Sequence, residues 1–278
     1  MNLNFTKLHG AGNDFIFVDG RTGLPDNIPS LARQLCNRHL GIGGDGLIFL
    51  CPSDEADLRM HYSNSDGTPT TCGNGVRLLG RYAEILGVWK PEAKSLSVDT
   101  VGGIVRVERT NQLGVYRVNM GRPRFDSSDI PFRGVGEVIQ RELKIANTSF
   151  LFSAVSMGNP HCVIFVPEID SIPLEEIGPK IENSILFPEK TNVAFVQILS
   201  PDSVRMRVWE RGVGITLACG TANCAILAVG AREGFLKREI ELEAPGGKFL
   251  VAWDNESDEI YLTGPTAVVF SGEINISN

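Results

Sequence analysis

The sequence has no excess of basic residues. Its 26 lysines and arginines are outnumbered by 33 aspartates and glutamates, which leaves a net charge of -7 and an isoelectric point near 5.2. A protein that binds nucleic acid through the phosphate backbone needs a clustered basic face. We therefore expect no nucleic-acid partner.

A leader peptide and a membrane span are also missing. Residues Met1–Lys7 show neither a charged leader before an apolar stretch nor a small-residue cleavage site, so we expect a cytoplasmic protein. The uncharged segment Gly212–Ala231 is long enough to cross a bilayer, but glycines, threonines and an asparagine interrupt it. This composition favours a strand, a turn and a buried helix, and no membrane partner is expected.

The six cysteines lack the spacing of a zinc site. None forms a CxxC pair and no paired histidines accompany them, so neither a metal nor another cofactor is expected. In a reducing compartment they are predicted to be free thiols. Four of them are interpreted as small buried apolar residues: Cys36, Cys51, Cys162 and Cys224.

What the sequence does contain is an internal repeat. The chain has 278 residues, more than one compact core usually holds. Five patterns from its first half recur in the second half, in the same order and at a nearly constant offset. We interpret this as a tandem duplication. Among the matches are Gly12-Asn13-Asp14 with Gly158-Asn159-Pro160, and Cys72-Gly73 with Cys219-Gly220.

The repeat predicts two similar domains. The first is expected over residues 1–118 and the second over 119–264, and a last strand over 265–278 is expected to return to the first domain. Short β-rich runs dominate each half, whereas an apolar-periodic helix follows each of Cys72 and Cys219. The predicted class is α+β, with mostly antiparallel strands wrapped around a central helix in each domain.

One glycine pattern matches a dinucleotide-binding motif in spelling only. Gly41, Gly43 and Gly46 have the right spacing, but that motif must follow a strand and open a helix. Here a predicted helix, Ser30–His39, comes first, and a predicted strand, Leu47–Leu50, comes after it. We interpret the segment as a flexible loop on the substrate side.

Both repeated cysteines stand immediately before a predicted helix. A helix N-terminus carries partial positive charge and free N–H groups, which here belong to Gly73–Gly75 and Gly220–Ala222. We expect these groups to lower the thiol pKa toward neutrality and to bind a carboxylate. The alternative for either cysteine alone is a small residue packed at a helix start, and the repeat favours the chemical role.

A pair of cysteines in duplicated domains suits an enzyme that inverts a carbon centre. One base removes a proton from one face of the carbon, and an acid delivers a proton to the opposite face. The helix N-termini would also stabilise charge that accumulates on an adjacent carboxylate. We therefore predict a cofactor-independent racemase or epimerase that uses Cys72 and Cys219.

In its motifs the sequence resembles the diaminopimelate epimerases, isomerases that interconvert LL- and meso-2,6-diaminopimelate in lysine and peptidoglycan precursor biosynthesis. The resemblance covers essentially the whole chain and implies a two-domain enzyme that pairs as a homodimer, with Cys72 and Cys219 as its catalytic cysteines. The segments that carry it are His9–Phe15, Asn64–Gly67, Cys72–Gly75, Met157–His161, Thr191–Asn192, Trp209–Gly212 and Ala218–Thr221.

The resemblance also implies roles for other residues. Glu210 would lie near the reacting amino group, with His161 supporting the acid-base site. The carboxylate at the reacting carbon would be held by Gly73, Asn74, Gly220 and Thr221. The remaining contacts to diaminopimelate are expected from Asn13, Asn64, Asn159, Asn192 and Arg211.

The chain departs from the family's usual residues just after Cys219 and at position 46. Ala222 and Asn223 stand where many members have Gly and Ala, and Ala222 is expected to narrow anion access slightly. Gly46 stands where some members have Gln, so any contact from that side chain is absent. None of these changes removes a reacting group.

Three alternatives remain open at this point. A proline racemase or hydroxyproline epimerase has a similar fold and a cysteine pair, but Asn74 and Glu210-Arg211 favour a substrate with a charged distal end. A non-catalytic amino-acid-binding module would be expected to lose a cysteine. A structural protein stabilised by disulfides or metal is disfavoured by the predicted reducing compartment.

Overall fold

The computed structural model describes residues 2–69, 72–145 and 148–276. Contacts within the chain divide it into two compact units. Unit 1 comprises Met1–Val118 and Gly264–Asn278, and unit 2 comprises Asn119–Thr263. Among the described residues, no helix combines the length and apolar character that crossing a membrane requires.

The described residues of unit 1 form two helices among several strands. The elements up to residue 119 are β1 (Asn2–Gly10), β2 (Asn13–Asp19), α1 (Ile28–Cys36), β3 (Gly46–Cys51), β4 (Leu58–Asn64), α2 (Gly73–Ile85), β5 (Ser95–Thr100), β6 (Gly103–Arg109) and β7 (Val115–Asn119).

The described residues of unit 2 show a similar alternation of strands and helices. Its elements are β8 (Arg141–Ile145), β9 (Thr148–Ser156), β10 (Pro160–Phe165), α3 (Leu174–Glu182), β11 (Asn192–Ser200), β12 (Ser203–Glu210), β13 (Gly214–Thr216), α4 (Gly220–Arg232), β14 (Glu239–Ala244), β15 (Gly247–Trp253) and β16 (Ile260–Pro265). The last strand of the chain, β17 (Ala267–Asn275), pairs antiparallel with β1.

Strand pairing follows one order in both units. In unit 1, β1–β2, β3–β4, β5–β6 and β6–β7 are antiparallel, while β2–β3 and β4–β5 are parallel. In unit 2 the equivalent antiparallel pairs are β9–β10, β11–β12, β14–β15 and β15–β16, and β10–β11 and β12–β14 are parallel. The predicted α+β class, with two domains of mostly antiparallel strands, is confirmed.

The parallel pairs explain where the helices lie. A parallel pair needs a long crossover, which a helix usually supplies. Helix α1 lies in the chain between β2 and β3, and α2 lies between β4 and β5; α3 and α4 occupy the same places in unit 2. In each unit, the repeated cysteine therefore lies in the second crossover, at the start of its helix: Cys72 before α2 and Cys219 before α4.

The helices that follow the cysteines are central in their units. Helix α2 contacts β1–β4 and β6, and α4 contacts β9–β11, β14 and β15. Because strands surround α4, Ala222–Gly230 is buried and the helix has no charged residue before Arg232. Both helices are followed by glycines in the left-handed region, Gly87 and Gly234, as expected for helix ends.

Helix α1 differs from its predicted span of residues 30–39. It begins at Ile28, where the Asn27 side chain accepts the Ser30 N–H, and it ends at Cys36. The Asn37 side chain then accepts the N–H groups of His39 and Leu40 at 2.9 Å. This local side-chain turn competes with the helix and stops it three residues early.

Candidate active site

In unit 1, the residue that caps helix α2 is Cys72. Its backbone is extended, and its Sγ accepts the Gly75 N–H at 3.3 Å. A Cβ at Gly75 would lie 3.0 Å from Ile48 Cδ1 and 3.4 Å from Cys72 Cβ, so a glycine keeps this turn close to the cysteine. The half-buried thiol thus shares the helix N-terminus with the backbone N–H groups of Gly73 and Asn74, as predicted.

Two of the predicted substrate-binding asparagines of unit 1 contact each other. Asn13 begins β2, and its Oδ1 accepts an N–H from Asn74 Nδ2 at 3.2 Å. Its own Nδ2 donates to Asp45 Oδ2 at 2.7 Å. Asn74 is 3% exposed, and its Oδ1 has no partner among the residues that the structure describes.

Asn64, the third predicted substrate-binding asparagine of unit 1, ends β4 and is oriented by Tyr62, whose hydroxyl donates to its Oδ1. Gly46 pairs directly with Asn64. A Cβ at Gly46 would lie 2.3 Å from Tyr62 Cε2 and 2.7 Å from Ser63 O. The Tyr62 ring therefore occupies the space that a side chain at position 46 would need.

In unit 2, Cys219 occupies the N-cap position of helix α4. Its backbone is extended like that of Cys72, and its Sγ lies 3.5 Å from Thr221 Oγ1. Unlike Cys72, it is buried, with 6% of its surface exposed. The two repeated cysteines therefore occupy the same position on their helices but differ in burial.

The pKa of Cys219 differs from the sequence-based expectation. Burial raises the pKa of this thiol well above its ordinary value, and the negative charge of Glu210 raises it further. The Thr221 hydroxyl acts in the opposite direction but is outweighed. The prediction of a pKa near neutrality is wrong for Cys219, because desolvating the thiolate costs more than the helix N-terminus returns.

Alkylation of Cys219 by iodoacetamide is expected to require a higher pH than alkylation of an ordinary thiol. Replacing Glu210 by Gln removes a nearby negative charge, so the midpoint of the rate against pH should move to lower pH. Mass spectrometry of the Cys219 peptide measures this rate. Glu239→Gln, at an exposed glutamate of β14, is the control, and an unchanged midpoint in Glu210→Gln would contradict the assignment.

Asn159 and His161 lie at the start of β10 and connect to the helix that carries Cys219. Asn159 Nδ2 lies 3.4 Å from Thr221 Oγ1, and Asn159 Oδ1 lies 2.9 Å from His161 Nε2. Because an amide oxygen only accepts, His161 must carry its proton on Nε2. Burial, with a smaller contribution from Arg211, lowers the pKa of His161 to about 3, so this side chain is a neutral imidazole near pH 7.

The other predicted site residues of unit 2 are linked through Asn192. Its Oδ1 accepts the backbone N–H of Arg211 at 3.0 Å, and its Nδ2 donates to Pro160 O at 2.9 Å. Glu210 ends β12 and accepts the Thr216 hydroxyl. Hydrogen bonds and strand pairing thus bring all of the predicted unit 2 residues to the region around the start of α4.

Sequence reasoning missed a charged cluster in unit 1. Lys7 Nζ lies 2.6 Å from Asp14 Oδ2, and Arg38 lies 2.7 Å from both Asp14 Oδ1 and Asp45 Oδ1. Lys7 is 5% exposed, which is rare for a lysine without a charged partner. Two features of the sequence could have indicated the cluster. Asp14 directly follows Asn13, and Asp45 lies within the glycine-rich loop.

The sequence comparisons identify close relatives. A family model described as diaminopimelate epimerase matches residues 5–125 and 153–269. A diaminopimelate epimerase of Gloeothece citriformis is 44% identical over 280 residues, covering 98% of this chain and 99% of the relative. One from Desulforudis audaxviator is 44% identical over 277 residues, with 98% and 99% covered.

Solved structures with low sequence identity share the fold. A phenazine biosynthesis protein of Bacillus anthracis superposes with a TM-score of 0.72 at 19% identity, covering 99% of this chain and all of the other. A probable proline racemase of Agrobacterium radiobacter gives 0.73 at 14% identity, with 99% and 93% covered. Such likeness extends only to the fold, whereas the family model and the relatives at 44% identity are specific: this chain belongs to the diaminopimelate epimerase family.

Proposed function

We propose that the protein interconverts LL-2,6-diaminopimelate and meso-2,6-diaminopimelate by moving protons between Cys72, Cys219 and the α-carbon of the substrate. The observation that carries the proposal is the pair of cysteines, each of which occupies the N-cap position of a helix in its own unit. The names of the relatives at 44% identity support the choice of substrate.

The proton transfer would use the two cysteines in different protonation states. Because burial raises the pKa of Cys219, this residue would enter the reaction as a thiol and act as the acid. Cys72, as the thiolate, would take the α-proton; the electron pair that remains on the carbon is shared with the carboxylate. Cys219 would then give its proton to the opposite face, and the reverse reaction would exchange the two roles.

The carboxylate beside the reacting carbon would be bound by the helix N-termini. The first N–H groups of α2 and α4 belong to Gly73, Asn74, Gly220 and Thr221, and such groups stabilise negative charge that develops in a transition state. The Glu210 carboxylate would bind the adjacent ammonium group. Both interactions favour removal of the α-proton without a bound cofactor.

The distal amino-acid group would be recognised by amides and one guanidinium. Asn64, Asn159 and Asn192 supply donors and acceptors, and Arg211 supplies a cation that can bind a second carboxylate. His161, which is neutral and hydrogen-bonded to Asn159, would orient this asparagine. Asn13 would complete the set from β2.

We also propose that residues 1–118 with the last strand, and residues 119–264, are the two halves of a duplicated enzyme. The matched pairing order of the two units supports this view. A homodimer in the cytoplasm, serving lysine and peptidoglycan precursor biosynthesis, fits the proposed reaction. Sedimentation of the purified protein would measure the oligomeric state.

Incubating the reduced protein with LL-diaminopimelate, without added cofactor, is the test of this function. Chiral chromatography should show the meso isomer accumulating until the ratio of isomers is constant, and the same ratio should be reached from the meso isomer. L-Proline, offered in parallel, should remain unchanged. Conversion of proline but not of diaminopimelate would instead favour a proline racemase, and conversion of neither would favour a binding module.

A further inference from the structure

We infer that Asp45, held by Arg38, is a positioning residue that orients the side-chain amides of Asn13 and Asn74 so that Asn74 Oδ1 accepts an N–H group of the bound amino acid. The identity of that ligand rests on the proposed function. The orientation of the two amides does not, because it follows from contacts within unit 1.

Backbone hydrogen bonds join the glycine-rich loop, and Asp45 within it, to α1 and β2. The loop folds back on the end of α1: Gly43 N–H donates to Leu35 O and Gly44 N–H donates to Cys36 O. A Cβ at Gly41 would lie 2.3 Å from Gln34 O, and Gly43 adopts a φ of +80°, so two of the glycines serve this close approach. Asp45 N–H then donates to Asp14 O at 2.7 Å, which joins the loop to β2.

Charge pairs hold the Asp45 carboxylate. Arg38 Nη2 lies 2.7 Å from Asp45 Oδ1 and 2.7 Å from Asp14 Oδ1. Lys7 contacts the other oxygen of Asp14 and donates to Gly43 O in the same loop. The positive charges of Lys7 and Arg38 thus neutralise the negative charges of Asp14 and Asp45. The other oxygen of Asp45, Oδ2, faces the start of β2.

The hydrogen bonds of Asp45 Oδ2 set the direction of the amides. This oxygen accepts Asn13 Nδ2 at 2.7 Å and the Asp14 N–H at 3.0 Å. Because a carboxylate accepts but cannot donate, Asn13 must turn its Nδ2 toward Asp45 and its Oδ1 away. Asn13 Oδ1 in turn accepts Asn74 Nδ2 at 3.2 Å, so the second amide is oriented by the first.

The consequence is an acceptor without a partner at the start of α2. Asn74 Oδ1 is buried, and no donor contacts it among the residues that the structure describes. Leaving such an atom unpaired costs stability, which is expected where a ligand supplies the missing donor. An α-amino acid fits, since its carboxylate matches the N–H groups of this helix turn and its ammonium group matches Asn74 Oδ1.

The substitution Asp45→Asn tests the chain of contacts directly. An amide at position 45 can donate to Asn13 Oδ1. The side-chain amides of Asn13 and Asn74 can then flip, so that Oδ1 and Nδ2 exchange places. In spectra of protein labelled with ¹⁵N, the side-chain amide signals of Asn13 and Asn74 should shift. Asp19→Asn, which removes a similar carboxylate paired with Arg21 on β2, should leave those signals unchanged.

A double variant distinguishes a change in the orientation of the Asn74 side-chain amide from a general effect of the Asp45→Asn substitution on the structure. In Asn13→Asp with Asp45→Asn, residue 13 offers only acceptors and residue 45 offers a donor, so Asn74 should keep its wild-type orientation. Its side-chain signals should return toward their wild-type positions. Unchanged Asn74 signals in Asp45→Asn, or no return in the double variant, would overturn the inference.

Kinetics give the functional readout of Asp45. Losing a hydrogen bond to a charged ligand group should raise KM for diaminopimelate about tenfold in Asp45→Asn, with a smaller change in kcat and no change in Asp19→Asn. Adding diaminopimelate to the wild-type protein should shift the Asn74 side-chain signals, and signals that do not respond would exclude this atom as a ligand acceptor. If the wild-type protein does not epimerise diaminopimelate, the proposed function fails while the spectra still test the orientation.

Discussion

Replacing either Cys72 or Cys219 by alanine is expected to lower kcat for epimerisation by about 10³-fold or more, because inversion needs both a base and an acid and each variant retains only one of them. Both variants should fold, since alanine at the capping position removes a single sulfur atom from each helix start. The rate of appearance of meso-diaminopimelate measures the effect.

Cysteines outside the two capping positions provide matched controls. Cys224 lies on α4, five residues after Cys219, and Cys51 ends β3 in unit 1. Cys224→Ala and Cys51→Ala each remove one buried thiol, so they are expected to reduce stability modestly while kcat stays within about threefold of the wild-type value. A Cys72→Ala or Cys219→Ala variant with comparable kcat would contradict the two-cysteine mechanism.

The largest effect on stability is expected from Asp14→Asn, which should lower the free energy of unfolding by about 3 kcal/mol at pH 7. The variant leaves the buried ammonium group of Lys7 without its carboxylate partner and removes one of the two carboxylates that Arg38 contacts. Urea unfolding of the wild-type and variant proteins measures the difference. Asp19→Asn, which breaks a more exposed pair with Arg21, should cost less than about 1 kcal/mol.

The difference in unfolding free energy between the wild type and Asp14→Asn should become smaller as the pH falls. Burial alone would raise the pKa of Asp14, but hydrogen bonds and charge from Arg38 and Lys7 outweigh it and lower the pKa to about 2. The pKa is thus lower in the folded than in the unfolded protein, so the stabilisation is complete above about pH 4 and is lost as the pH falls through about 2. A difference between wild type and Asp14→Asn that stays constant down to pH 2 would contradict this account.

Much of the fold could be predicted because each domain repeats the same local signals. Glycines, short β-rich runs and one apolar helix after each cysteine recur in order, and the helices indeed begin at Gly73 and Gly220. The parallel strand pairs were not predicted. They depend on how crossovers return through space, which apolar periodicity within a strand does not reveal.

The helix starts at the two repeated cysteines were predictable from the sequence, but the electrostatics around Cys219 were not. Position on a helix can be derived from sequence, and this led to the expectation of an acidic thiol at both cysteines. Burial depends on the packing of distant segments, and it raises the pKa of Cys219 instead. The motif that identified Cys219 therefore contained no information about the protonation state of the thiol.

The contacts that orient Asn13 were missed for a related reason. Asp45 and Arg38 reach this asparagine only when a loop after α1 folds against the start of β2. The sequence showed the glycines of the loop and their position after a helix and before a strand, which the structure confirms. It could not show that Asp45 would contact the asparagine of a different segment.

Deuterium incorporation from solvent is the most direct test of the proposal that two different groups move the proton. LL-Diaminopimelate would be incubated with the protein in deuterium oxide and sampled at low conversion, and the α-positions of both isomers would be analysed by mass spectrometry. With one cysteine removing the proton and another delivering deuterium, the meso product should carry deuterium while the remaining LL substrate keeps its proton. Product that retains the original proton, or equal labelling of substrate and product from the start, would indicate a single base and contradict the assignment of Cys72 and Cys219 as a pair.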